Sequence, residues 1–239
     1  MPAGNITGRL WLVPAPLGDD ALHTLPAYVQ SRAVEIQYWV VENIRTSRRL
    51  LRAMDKSVNI DAITFWEWDK HQRDVPGLED FFKAALEGHD IGLMSEAGSP
   101  AVADPGSMVV RKAHELGIPV VPLSGPNAIL LALMASGLNG QQFAFHGYMP
   151  IDTQQRRDRL RKLEAGMIHL GQTQLFIETP YRNNALFTEM LACLQPATRI
   201  CVAANITTPQ EFIRTMSAGE WKKHIPDLHK QPCIFAIGM

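Results

Sequence analysis

The sequence predicts an α/β protein, and three observations predict it. Ile91 to Met94 and Ile118 to Leu123 are short apolar runs without polar alternation, as expected for strands buried on both faces. Between them, Met108 to Leu116 carries apolar residues at helical spacing and stops at Gly117, a C-cap residue. Both strands run into loops of small residues and turn formers. The first is Glu96-Ala97-Gly98-Ser99-Pro100-Ala101-Val102-Ala103-Asp104-Pro105-Gly106. The second is Ser124-Gly125-Pro126-Asn127, which opens a helix over Ala128 to Ser136.

Open α/β sheets bind ligands at the carboxyl ends of their strands, and small residues let backbone N–H and C=O groups approach a ligand closely. Two such loops, expected at the same end of neighbouring strands, predict a backbone-lined pocket for a small, polar, largely planar molecule. The bland alternative is a pair of ordinary turns.

A chain of 239 residues is long enough for a proper core in one or two domains. No apolar run reaches the length of a membrane-spanning helix, and MPAGNITGRL has no signal-peptide pattern. Cys193, Cys201 and Cys233 lack metal-ligand spacing and read as buried free thiols of a cytosolic protein. A net charge of −1 argues against avid, non-specific nucleic-acid binding while leaving room for a local basic patch. There is no P-loop, zinc spacing or nucleophile elbow.

In chain order, Arg9 to Val13 reads as a strand ending in an abrupt loop, Pro14-Ala15-Pro16-Leu17-Gly18-Asp19. Leu25 to Arg32 reads as a helix with Pro26 in its first turn, and Tyr38 to Val41 as the next strand. Glu42 to Arg52 then sets Arg45, Arg48, Arg49 and Arg52 within two helical turns. This is either a solvated face or, at the carboxyl end of a strand, a substrate-facing one. Ala62 to Trp68 reads as a strand, Asp69 to Pro76 as a charged loop with His71 on the surface, and Leu78 to Glu87 as an amphipathic helix.

A second domain is expected to follow, with domains over 1–125 and 126–239. Phe143 to Tyr148 reads as a strand. The next helix holds Arg156, Arg157, Arg159, Arg161 and Lys162, with Asp158 spaced to pair with Lys162; these cations either meet phosphates or form a solvated face. Gln174 to Ile177, Ile200 to Ala204 and Gln231 to Gly238 read as strands, Leu186 to Leu194 as a helix, and Phe212 to Met216 as helical or extended.

Taken together, the loops resemble those of the tetrapyrrole methylase superfamily. Glu96 to Pro100, Asp104 to Gly106 and Ser124 to Pro126 match its two signature loops with conservative exchanges. Pro14 to Asp19 is similar to its first-strand loop, Glu42 to Arg52 to its glutamate-aspartate-threonine-arginine segment, and Gly147 to Pro150 to its glycine-phenylalanine-leucine-proline. Glu178-Thr179-Pro180-Tyr181-Arg182 resembles glutamate-serine-proline-histidine-arginine. The wording is nearest to members that methylate small-subunit ribosomal RNA. Asn43 and Asn205 stand where those members have aspartate and glutamate, and the sequence given ends at the superfamily's final strand, without the C-terminal helical segment of many RNA-methylating members.

The resemblance implies two α/β domains of the tetrapyrrole methylase type, with S-adenosylmethionine in the interdomain cleft, in a cytoplasmic homodimer that needs no metal. It implies a donor site of Pro14, Ser95, Gly98, Ser99, Val102, Ala103, Ser124, Gly125, Asn127, Ala128, Asn205 and Pro232. It places Glu42 and Arg45 at the chemistry, and Arg48, Glu178 and Arg182 toward substrate. Glu96 is expected to tie its own loop, and Glu178 to orient Arg182.

Three activities remain open at this point. The first is methylation of a ribose 2′-hydroxyl of ribosomal RNA, with RNA or the small ribosomal subunit as partner. The second is methylation of a tetrapyrrole or another small molecule. The third, kept alive by the two amides, is donor binding without turnover.

Overall fold

The structure, a computed structural model, describes residues 7–68, 78–104 and 106–239. The expected charged loop with His71, and Pro105 of the first signature loop, lie outside the described residues. The chain divides into two compact units, Met1–Pro126 and Asn127–Met239. Both are α/β.

In the N-terminal unit the strands are β1 (Leu10–Val13), β2 (Tyr38–Val41), β3 (Thr64–Glu67), β4 (Ile91–Met94) and β5 (Val120–Pro122). They form a parallel sheet in the order β3-β2-β4-β1-β5. The helices are α1 (Ala27–Glu35), α2 (Ile44–Met54), α3 (Leu78–Leu86) and α4 (Ser107–Glu115). Pro26 is the N-cap of α1 rather than a first-turn residue. The strand expected from Ala62 is shorter, because Ile60–Ala62 forms a 3-10 turn.

Strand side chains alternate between faces, and here both faces are apolar. Leu10, Val40, Ile91 and Leu93 enter one core with Phe81, Phe82 and Val109. Trp11, Val13, Trp39, Val41 and Met94 enter the other with Val29, Ala33 and Leu51. Every residue of β4 is buried, as its unrelieved apolar run requires.

The expectation that the two small-residue loops follow neighbouring strands is corrected. β1 lies between β4 and β5. The strands of a βαβ unit need not be adjacent, and apolar pattern alone does not reveal an inserted strand.

The C-terminal unit has helices α5 (Ala128–Ser136), α6 (Thr153–Leu170), α7 (Asn183–Cys193) and α8 (Ala218–Trp221). Its mixed sheet runs in the order β6-β7-β10-β8-β9, from β6 (Phe143–Tyr148), β7 (Thr173–Ile177), β8 (Arg199–Ala204), β9 (Phe212–Ser217) and β10 (Cys233–Gly238). The stretch from Phe212 is therefore a strand, ended by a capping box between Ser217 and Glu220 that starts α8. The core is aromatic. Phe176 stacks on Phe235 at 6.1 Å between ring centroids, and Trp221 meets Phe187 edge-on at 5.2 Å. Cys201 and Cys233 are buried and Cys193 half-buried; burial pushes the Cys233 thiol up to about 12.

Part of the basic run of α6 is engaged within the unit. Arg156 is buried and grips Glu189 of α7 with two bonds, Nε to Oε2 at 2.8 Å and Nη2 to Oε1 at 2.6 Å. Its Nη1 also donates to the carbonyls of Pro150 and Ile151, at 3.0 and 2.8 Å. Arg159 reaches His146, and Asp158 pairs with Arg161 rather than Lys162. The guanidinium of Arg156 holds the Glu189 carboxyl below the ordinary glutamate range.

Removing one partner leaves a buried charge alone, so Arg156→Ala is expected to cost about 3–5 kcal/mol in denaturant unfolding. A depressed carboxylate pKa stabilises fully above the ordinary glutamate value of 4.5, and that stability is lost as pH falls through the lower folded value. Replacing both partners, Arg156→Met with Glu189→Leu, should flatten that part of the acid limb in unfolding measured against pH.

Candidate active site

The carboxyl ends of β1, β4 and β5 deliver three loops to one edge of the N-terminal sheet. The loop after β1 is the middle one. Ala15 and Gly98 exchange both backbone hydrogen bonds, N–H to O at 2.9 Å one way and 3.0 Å the other. Gly98 does this at φ +73°, a left-handed conformation that costs glycine little. On the other side the Pro14 ring fills the space beside Gly125, where an added Cβ would lie 2.3 Å from Pro14 Cγ. The first-strand loop thus pins both signature loops.

The loop after β4 is shaped from within. Ser95 is buried and its hydroxyl donates to Ala97 O at 3.3 Å. The half-buried Asp104 carboxylate accepts from Ala101 N at 2.8 and 2.9 Å and from Gly106 N at 2.7 Å. Burial raises its pKa, and the two N–H groups pull it back only in part. Ala101 and Ala103 lie at φ +64° and +61°. Such strain in non-glycine residues gathers at ligand sites. Val102 and Ala103 are exposed at the loop's tip, and Ser99 is half-buried. Ser124 and Gly125 are exposed. Asn127 caps α5 by accepting from Leu130 N at 3.1 Å, and Ala128 is its first residue.

Beside the loops after β1 and β4 opens a cavity of about 850 Å³. Its walls are Pro16 to Leu22 from the β1 loop, Met94 to Ala97 from β4, and Thr46, Ser47, Arg49, Leu50 and Ala53 from α2. Of the basic residues singled out in α2, Arg45 is exposed in the first turn and Arg48 is paired with Asp61 at 2.6 Å. Arg49 is the arginine on the wall, 3.4 Å from Asp19. Arg49, Asp19 and Asp20 were not singled out as site residues by the sequence. The signal was present in the i, i+3, i+4, i+7 spacing of Thr46, Arg49, Leu50 and Ala53, which puts them on one helix face.

Glu42 sits at the carboxyl end of β2, half-buried, and accepts from Glu96 N at 3.3 Å. With Ser95, Trp68, Asp104 and Gly106 it borders a void of about 10 Å³, the size of one water. Glu96 itself reaches the large cavity. Asn43 caps α2, accepting from Thr46 N at 3.1 Å. Aspartate would serve equally there, so this exchange keeps the helix start.

In the C-terminal unit Glu178 is buried. Its Oε1 accepts from Arg182 Nη2 at 2.6 Å and from Thr179 N at 2.7 Å, so it orients Arg182. Asn205, at φ +51°, donates its amide to Gln231 Oε1 at 2.9 Å, and its N–H to Pro232 O at 3.0 Å. A glutamate could not donate to Gln231; the amide at 205 and the glutamine at 231 suit one another. They border a cavity of about 460 Å³ with Phe212 and Asp227.

Residues 9–222 match the family model for tetrapyrrole (corrin/porphyrin) methylases. The chain belongs to the tetrapyrrole methylase family. It is 30% identical to the ribosomal RNA small subunit methyltransferase I of Escherichia coli O157:H7, over 98% of this chain and 79% of that one. It is also 30% identical to the protein of that name from Vibrio cholerae serotype O1, over 88% and 69% of the two chains. With that of Streptococcus pyogenes serotype M6 it shares 33% identity over 78% and 61%. Two solved structures share the fold: the methyltransferase CobJ, with TM-score 0.65 and 17% identity, and a uroporphyrin-III C-methyltransferase from Thermus thermophilus, with 0.55 and 18%. Each match covers 97% of this chain and 94% of the other.

The chain is therefore an S-adenosylmethionine-dependent methyltransferase. Its N-terminal loops fit such a donor. They offer backbone polar groups on small residues and, at Asp19, a carboxylate beside the Arg49 cation. Among the described residues no group of His, Cys, Asp or Glu could hold a metal ion, and no helix is long and apolar enough to cross a membrane.

Gly125→Ala tests the pinning. The added methyl must displace Pro14, at a cost of about 1–3 kcal/mol. Affinity for S-adenosylhomocysteine, measured by calorimetry, should fall about tenfold or more.

Proposed function

We propose that this enzyme methylates small-subunit ribosomal RNA at a ribose 2′-hydroxyl, in the cytoplasm and as a homodimer. The observation that carries the reading is the large cavity of the N-terminal unit. It is open, lined by both apolar and charged groups, and walled by the chain leaving β1 and β4 and by one face of α2, with Ser95 on its wall. The names of the relatives at 30–33% identity support RNA as the acceptor.

In this reading Pro14, Ser95, Gly98, Ser99, Val102, Ala103, Ser124 and Gly125 hold the donor. Asn127, Ala128, Asn205 and Pro232 are the C-terminal unit's candidates for the same task. The bound donor supplies a methyl group already activated on sulfonium sulfur. The protein's work is then alignment, in principle worth on the order of 7–11 kcal/mol, and removal of the hydroxyl proton. Glu42 takes that proton, held in place by Glu96 N. Arg45 and Arg182 meet acceptor phosphates through their planar forks, Arg182 being set by Glu178, and Arg48 joins them by leaving its solvent-exposed pair with Asp61.

Purified enzyme, S-adenosylmethionine labelled in its methyl group, and unmodified ribosomal subunits test this directly, with naked RNA and a metabolite extract in parallel. Label in RNA, mapped to a ribose, is expected. Donor binding with label only in small molecules would replace the reading. In the same assay Glu42→Gln should lower kcat about 10²–10⁴-fold without weakening donor binding. If Glu96→Gln alone has that effect, the base is Glu96.

A further inference from the structure

Tyr181 is a large side chain left 70% exposed, in the turn after β7. Its surroundings are basic. His229 meets its ring edge-on at 6.0 Å between centroids, Lys230 Nζ lies 6.0 Å from the ring centre, and Arg182 follows it in the chain with 36% of its side chain exposed. At that exposure neither neighbour covers the ring.

The patch is built rather than incidental. Lys230 N donates to Pro180 O at 3.0 Å, with Lys230 itself at φ +60°. Asn183 Nδ2 donates to Gln231 O at 2.6 Å, and Asn184 holds both Asp227 Oδ1, at 2.8 Å, and Leu228 N, at 2.7 Å. These bonds lace the turn after β7 to the loop before β10 and hold Tyr181, His229 and Lys230 on one surface. The nearby acids are engaged: Asp227 by Asn184 and His229 N, and Glu178 by Arg182.

We propose that Tyr181 is a stacking platform for an unpaired RNA base, with Lys230, His229 and Arg182 meeting the adjoining phosphates. A ring left 70% exposed, with Lys230 Nζ 6.0 Å over one face and His229 edge-on to it, suits single-stranded RNA, whose splayed bases stack on aromatic side chains beside cations. A duplex hides its base faces and cannot use the ring. The proposal rests on ribosomal RNA being the substrate, and it adds that the enzyme selects a single-stranded element there.

The test measures binding of a fluorescein-labelled single-stranded RNA of about twelve nucleotides, within the reach of one protein surface, against a duplex of equal length. Tyr181→Ala should weaken single-strand binding about five- to 150-fold, leaving duplex binding, S-adenosylhomocysteine affinity and melting unchanged. Tyr181→Phe keeps the ring and should stay within roughly threefold of wild type. Lys230→Ala should lower the salt slope of log K by about 0.7, one phosphate on a single strand. If wild type methylates ribosomal RNA and Tyr181→Ala binds single strands as tightly, the platform is refuted and the RNA reading stands. A loss in Tyr181→Phe equal to that in alanine also overturns stacking. If wild type binds the donor but no RNA of either kind, the RNA reading and the platform fall together.

Discussion

The reciprocal backbone pair between Ala15 and Gly98 is the constraint on which the loops of the N-terminal unit depend. It makes the loop after β1 a wedge between two others. One flank is hydrogen-bonded to the loop after β4, and the other presses Pro14 against Gly125. A ligand seat made of backbone has no long side chains to adapt, so its shape must be fixed by the chain path. Proline, glycine and a few left-handed residues do this: Pro14 and Pro16 stiffen the wedge, Gly98 turns at positive φ, and Ala101 and Ala103 carry strain in a loop that Asp104 ties together by accepting from the N–H groups of Ala101 and Gly106.

The same economy governs charge. Arginines cluster in α2 and α6 and one more precedes α7, and the folded protein sets them to different tasks. Arg156 is a structural bolt, Arg48 is tied to Asp61, and Arg159 to His146. Arg49 faces a cavity, and Arg182 is aimed by a buried carboxylate. This fits a chain of net charge −1, whose cations act locally rather than as a general field.

Much of the local structure was legible in the sequence. β2, β4 and α5 fall where the apolar runs and caps put them, since unrelieved apolar tetrads and an asparagine before a helical run have few other readings. Strand order was not legible. Nothing local in Leu10–Val13 tells that it inserts between β4 and β5, because parallel neighbours are chosen by long-range packing. The fate of individual cations was equally hidden: Arg48 and Arg49 are adjacent and alike, and only the position of Asp61 and Asp19 separates them. The amides were legible as departures from the family but not as fits. Asn43 needs only to cap, and Asn205 suits Gln231, a partner 26 residues away. Tyr181 likewise reads as a substitution in the sequence and as part of a surface only when His229 and Lys230 are brought beside it.

Hydrogen–deuterium exchange with and without saturating S-adenosylhomocysteine tests the central claim, that the pinned loops of the N-terminal unit form the donor's seat. The account predicts slowed exchange in peptides covering 14–18, 95–104 and 123–128, with β3 and the outer face of α1 unchanged. Ligand binding that leaves all three of these peptides as they were, and protects other segments instead, would contradict it.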